Sequence, residues 1–226
     1  MPILGRSLLD TRTLTRNDID EIFLKADALA PLVNPARPEM RQAGLPMRQP
    51  VVCCLFFEPS TRTRMSFQMA AYRLGCQVLT MELSAGSSLS KGETLTDTVL
   101  NFAAMKPDIL VVRYGNSREL DELLPTLDIP VINAGSGTMA HPTQGLLDAY
   151  TLRSEWETLK GKKVLIFGDV LHSRVARSGF DVLTKLGASI GVTGPEKMMP
   201  QGPQRDALAS EFGLQFFESL DEGLPW

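Results

Sequence analysis

Short apolar runs alternate along this chain with segments of helical period, and that alternation predicts parallel strands joined by helices. Val51-Val52-Cys53-Cys54-Leu55-Phe56 is apolar and partly β-branched, as a buried strand is. Apolar positions at Met65, Met69, Tyr72 and Leu74, stopped by Gly75, predict a helix from Met65 to Leu74. Gln77–Leu83 predicts a second strand, Leu95–Ala104 a second helix, Asp108–Tyr114 a third strand and Ile129–Ala134 a fourth. Upstream, Ile19, Ile22, Phe23, Ala26 and Leu29 make an apolar helical face. That helix opens with a capping box in which Thr15 is the N-cap and Asp18 replaces the usual Glu. Pro31, Pro35, Pro38 and Pro46 mark a loop before the first strand.

The pattern restarts after residue 155. A helix from Gly145 to Glu157, apolar at Leu146, Leu147, Tyr150 and Leu152, closes the first series. Lys160-Gly161-Lys162-Lys163 is a polar turn, and Val164–Phe167 is a fresh strand. Ser189–Thr193 and Gln204–Phe212 continue as strand and helix. The expectation is an α/β fold of two doubly wound parallel-sheet domains, residues 1–155 and 156–226, the second one incomplete. A domain of about seventy residues buries only a modest core. It also leaves sheet edges open, which fits a fragment of a longer chain.

Composition narrows the class without naming a function. At 43 % hydrophobic and 22 % charged residues, with net charge −3, nothing favours nucleic acid or an acidic membrane as partner. The start, Met1-Pro2-Ile3-Leu4-Gly5-Arg6, lacks the apolar core of a signal peptide, and no apolar run reaches membrane length. Cys53, Cys54 and Cys76 have no metal-ligand spacing, and two lie inside a predicted core strand. They read as reduced packing residues of a cytoplasmic protein with no bound metal.

The chemistry gathers at Phe57-Glu58-Pro59-Ser60-Thr61-Arg62-Thr63-Arg64-Met65-Ser66-Phe67, where a strand ends and a helix begins. Helix N-termini offer unpaired N–H groups and the positive end of the macrodipole. Ser60, Thr61 and Thr63 add hydroxyls, and Arg62 and Arg64 add cations able to grip a phosphate bidentately. Ser60 as a simple cap, with arginines paired to surface carboxylates, is the competing reading. Two arginines interleaved with three hydroxyls favour a phosphate-sized ligand. Arg113 ends the third strand, where open α/β sheets bind ligands, although a surface charge would look the same. Ser84 to Thr94 is a Gly/Ser-rich surface loop with one cation, Lys91. His141-Pro142-Thr143-Gln144 puts Pro at a helix start, so that His141 and Gln144 can both donate to one carbonyl oxygen. A histidine satisfied structurally would fit the same spacing. Gly168-Asp169 after a strand invites a dinucleotide reading, but the Gly-x-Gly-x-x-Gly spacing is absent and arginines occupy the turn.

Ser60-Thr61-Arg62-Thr63-Arg64 with Ser66-Phe67, Ser87-Ser88-Leu89-Ser90-Lys91-Gly92-Glu93-Thr94, His141-Pro142-Thr143-Gln144, and Gly168-Asp169 through Arg174 to Ser178 resemble, in that order, the signatures of the aspartate and ornithine carbamoyltransferases. The Lys-Gly-Glu-Thr piece resembles the aspartate branch, and Ala140 stands where many relatives carry Gln. The resemblance implies transfer of a carbamoyl group from carbamoyl phosphate to the amino group of aspartate, for pyrimidine synthesis, without a cofactor. It implies Ser60, Thr61, Arg62 and Thr63 on the phosphate, with Arg113 shared between phosphate and carbonyl oxygen. Thr63 and His141 would polarise the carbonyl, Gln144 would hold the carbamoyl NH₂, and Arg174 would take an aspartate carboxylate. Lys91, with Ser88 or Ser87, would come from the neighbouring subunit of a homotrimer and reach both substrates. Regulatory or dihydroorotase-like chains are further candidate partners. The alternatives are a transcarbamoylase for ornithine or another amine, a structural paralogue without turnover, and a fragment that only binds carbamoyl phosphate.

Overall fold

A computed structural model describes residues 5–33, 49–82, 93–137 and 140–226. By contact the chain forms two compact units, Met1–Leu9 with Asp20–Gly137, and Asp10–Ile19 with Thr138–Trp226. Among the described residues no helix is long and apolar enough to cross a membrane.

Strands β1 (Val51–Phe56), β2 (Gln77–Glu82), β3 (Ile109–Tyr114) and β4 (Val131–Ser136) build the first unit's parallel sheet in the order β2-β1-β3-β4. Helix α1 (Arg16–Leu29) precedes it, opened by the expected box: Asp18 N–H donates to Thr15 Oγ1 at 3.2 Å, and Thr15 N–H to Asp18 Oδ2 at 2.8 Å. Helices α2 (Thr61–Arg73), α3 (Leu95–Ala104) and α4 (Arg118–Leu123) make the crossovers. β1 is buried on both faces, which explains its unbroken apolar sequence. Cys53 and Leu55 join Val99, Leu110, Val112, Leu120 and Leu124 on one side. Val52, Cys54 and Phe56 join Ala71, Val111 and Ala134 on the other. The adjacent cysteines therefore point into opposite layers as free packing residues, as expected.

The second unit carries β5 (Lys163–Phe167), β6 (Ser189–Thr193) and β7 (Gln215–Phe216), parallel and in that order. Helices α5 (Pro142–Trp156), α6 (Arg174–Lys185), α7 (Gly202–Phe212) and the short α8 (Leu220–Gly223) complete it. The smaller second sheet agrees with the expected fold class. The sequence puts the boundary after α5, near 155, whereas the contact division falls between Gly137 and Thr138. The cause is visible at Gly145: a Cβ there would lie 2.8 Å from the Ser178 carbonyl carbon and oxygen, so α5 sits directly on α6. β4 begins at Val131, later than the expected Ile129, because Pro130 has no N–H for the ladder. It still accepts from Leu110 N–H at 3.0 Å.

Candidate functional site

In the first unit the strand order reverses between β1 and β3: β2 lies to one side of β1, while β3 and β4 lie to the other. Two crossovers leaving in opposite directions open a crevice at the carboxyl ends of those strands. Phe56 is in register with Arg113, and Phe57 N–H donates to the Arg113 carbonyl at 2.8 Å. The loop Phe57 to Ser60 is thus bound to the strand end that carries Arg113.

Helix α2 starts at Thr61, four residues before the expected Met65, so Thr61, Arg62, Thr63 and Arg64 occupy its first turn. Polar residues there cost the fold little, because the first turn lies at the sheet edge beyond the core. Ser60 is the N-cap in extended backbone (φ −161°), yet its hydroxyl makes no capping bond. The capping explanation for Ser60 therefore fails, and Ser60 Oγ remains available to a ligand. No acidic residue lies in this turn, so no carboxylate there neutralises the dipole and the arginines. Arg62 is exposed, while Thr63 and Arg64 are half-buried.

Arg113 is buried, with 9 % of its surface exposed. Its Nη1 donates to the Ala134 carbonyl at 3.2 Å, and Nη2 stands 3.9 Å from the Glu58 carboxylate. The guanidinium is thus held between β4 and the loop that leads to α2. Glu58 was passed over in the sequence; its position next to Pro59 at a strand end was the available signal. Gly115 makes room for it, since a Cβ there would meet Glu58 Oε1 at 3.0 Å.

The second unit holds His141, Gln144 and Arg174. His141 is the N-cap of α5 with Pro142 at the first helical position, as the sequence predicts. It is buried, its Nδ1 lies 3.4 Å from Thr143 Oγ1, and its backbone N–H donates to Ser178 Oγ at 3.0 Å. Gln144 Nε2 donates to Asp148 Oδ1 at 2.8 Å. That bond departs from the expectation that Gln144 joins His141 in donating to a carbonyl, because its amide N–H is used by Asp148 on the same helix. Arg174 opens α6 just after its N-cap Ser173, whose Oγ accepts from Ala176 N–H at 3.1 Å. Ser87, Ser88 and Lys91 lie outside the described residues.

Ser60 to Arg64 with Arg113 thus form one polar group in the first unit, and His141, Gln144 and Arg174 cluster on α5 and α6 in the second. The first group offers hydroxyls, helix N–H groups and cations to a dianion. The second offers an imidazole, an amide acceptor and a guanidinium.

Residues 6–154 match the family described as aspartate/ornithine carbamoyltransferase, carbamoyl-P binding domain. The chain is 43 % identical over 219 residues to the aspartate carbamoyltransferase catalytic subunit of Methylorubrum populi, covering 97 % of this chain and 66 % of that relative. It is 45 % identical to the subunit of the same name from Opitutus terrae, covering 88 % of this chain and 62 % of the relative. It therefore spans less than two thirds of the length of these relatives. Among solved structures, aspartate transcarbamoylase from Trypanosoma cruzi, in complex with carbamoyl aspartate and phosphate, superposes with a TM-score of 0.80 at 29 % identity, over 97 % of this chain and 72 % of that one. The catalytic subunit of M. jannaschii aspartate transcarbamoylase gives a TM-score of 0.80 at 31 % identity, over 96 % of this chain and 70 % of that one. By the match of its first 150 or so residues and by these relatives, this chain belongs to the aspartate/ornithine carbamoyltransferase family.

Proposed function

We propose that the protein transfers the carbamoyl group of carbamoyl phosphate to the α-amino group of L-aspartate, giving N-carbamoyl-L-aspartate and phosphate for pyrimidine biosynthesis. The observation that supports this reading is the Phe56–Arg113 register, with the 2.8 Å bond from Phe57 N–H to the Arg113 carbonyl, which ties the Arg113 strand end to the loop leading into Ser60 and the first turn of α2. The choice of aspartate is supported by relatives of that name at 43–45 % identity. It is supported too by a T. cruzi structure in complex with carbamoyl phosphate and aspartate.

The neutral amine attacks the carbamoyl carbon, negative charge grows on the carbonyl oxygen, the C–O bond to phosphate breaks, and one amine proton leaves with the departing phosphate. Ser60, Thr61, Arg62 and Thr63 hold the phosphate, and Arg113 spans phosphate and carbonyl oxygen. Thr63 and His141 polarise the carbonyl, Gln144 Oε1 accepts from the carbamoyl NH₂, and Arg174 binds an aspartate carboxylate. Lys91 and Ser88 act from the neighbouring subunit of a homotrimer in the cytoplasm. Preorganised donors at such developing charge are each worth on the order of 3 kcal/mol. Association of subunits is favoured by Met65, Met69 and Tyr72, an exposed apolar stripe on α2, beside exposed Leu79 on the edge strand β2.

The test supplies labelled carbamoyl phosphate with aspartate or ornithine in parallel. Label in carbamoyl-aspartate alone is expected. Transfer to ornithine alone would overturn the aspartate assignment, and binding without transfer to either would mark a silent fragment or paralogue. Light scattering of the purified chain checks the trimer.

A further inference from the structure

His141 is an N-cap residue, so its backbone (φ −142°, ψ 72°) is set by what holds it from outside the helix. What holds it is Ser178. The 3.0 Å bond from His141 N–H to Ser178 Oγ joins two buried residues, 9 % and 3 % exposed. Ser178 lies in a stretch of α6 whose buried residues are Ala176, Gly179, Phe180, Asp181, Val182 and Leu183. A hydroxyl among such residues is costly unless a partner uses it, and here the partner is the His141 amide. A second contact fixes the same point: one turn after His141, a Cβ on Gly145 would stand 3.0 Å from the Ser178 Cβ, so the bare glycine seats α5 on this serine.

We propose that Ser178 is a positioning residue that sets the direction in which the His141 imidazole leaves the N-cap. Arg174 lies one turn earlier on the same helix, so α6 holds the carbonyl-polarising and carboxylate-binding groups of this unit in one rigid frame. What His141 does chemically rests on the function proposed above; where its ring is held does not.

The chain has two histidines, His141 and His172, so its imidazole NMR spectrum holds two sets of signals. His172 is exposed and pairs with Asp169 at 3.1 Å, which makes it an internal reference. In Ser178→Ala the His141 signals should move while those of His172 stay. The turnover number should fall roughly 10- to 100-fold, as small misplacements of a reacting group do, with KM for carbamoyl phosphate unchanged. Gly145→Ala, which pushes on the same contact, should move the same signals. Unmoved His141 signals in a folded Ser178→Ala chain would overturn the proposal, as would a loss confined to melting temperature. An inactive wild type would remove the functional reading instead, leaving the spectral comparison to decide the positioning.

Discussion

Replacing Arg113 by Met separates a structural arginine from a ligand-binding one, because the two roles predict opposite results. The side chain is 11 % exposed, its Nη1 bonds the Ala134 carbonyl at 3.2 Å, and Glu58 stands 3.9 Å from Nη2. Loss of the Ala134 bond costs about 0.5–1.5 kcal/mol. Against that, an apolar side chain of similar volume avoids the desolvation of a cation, a term of several kcal/mol, and Glu58, 37 % exposed, can turn to water when its partner is gone. The net change in stability should lie within about 1 kcal/mol, or roughly 2–4 °C in melting temperature for a chain of this size. Binding behaves differently. A charge-assisted bond to phosphate is worth about 1.5–3 kcal/mol, so Kd for inorganic phosphate should rise roughly 10- to 150-fold. Arg113→Lys should recover only part, since an ammonium cannot span two oxygens as the planar fork does. Calorimetric titration with phosphate, beside a thermal melt of each variant, reads both quantities. A Met variant that melts well below wild type while binding phosphate equally would refute the assignment of Arg113 to the ligand.

Three further outcomes follow from particular contacts. Gly145→Ala should destabilise by about 1–3 kcal/mol, the cost of forcing a methyl into a packed contact, because its Cβ would meet the Ser178 backbone at 2.8 Å; urea titration measures it. Thr94→Ala should cost about 1 kcal/mol, since Thr94 Oγ1 accepts from Asp97 N–H at 3.0 Å in a complete capping box; amide exchange at the start of α3 should quicken. Burial pushes the Cys53 and Cys54 thiols up from 9.0 to about 11. The stability carried by their protonated form is whole below pH 9 and drains away between pH 9 and 11. The stability gap between wild type and Cys53→Ala/Cys54→Ala should therefore narrow over that range in urea titrations. Native alkylation at pH 8 should reach half-buried Cys76 first.

Much of this was legible in the residues. β1, α3 and β6 match their expected bounds end to end, because each is bounded by a breaker or a cap. The start of α2 was not, because a first turn of Thr61 to Arg64 has no apolar face for periodicity to detect. α4 and β7 escaped for a related reason: one is a six-residue charged helix held by the Ser117 cap, the other a two-residue strand, and neither is long enough to repeat its period. At the site, residue types pointed to phosphate, but only the Phe56–Arg113 register explains why Arg113 belongs with Ser60. Ser178 shows the limit most clearly. A serine within a helical run carries no signal of the helix end it supports until α5 and α6 are seen packed.

The two groups of polar residues also differ in what their own unit provides, and the difference bears on order of binding. In the first unit, the loop leading into α2 is fixed by the Phe57–Arg113 backbone bond and the Arg113 guanidinium by the Ala134 bond, so donors of the proposed dianion site are placed in advance. In the second unit, His141 and Arg174 depend on α5 and α6 keeping one spacing, which the bare Gly145 and the Ser178 bond maintain. Binding of phosphate alone should therefore survive in a chain whose second unit is disturbed, whereas transfer should not. Ser178→Ala measured for phosphate affinity and for turnover tests this division. Phosphate binding should stay at the wild-type value while turnover falls, and parallel losses in both would show that the two units do not divide the work in this way.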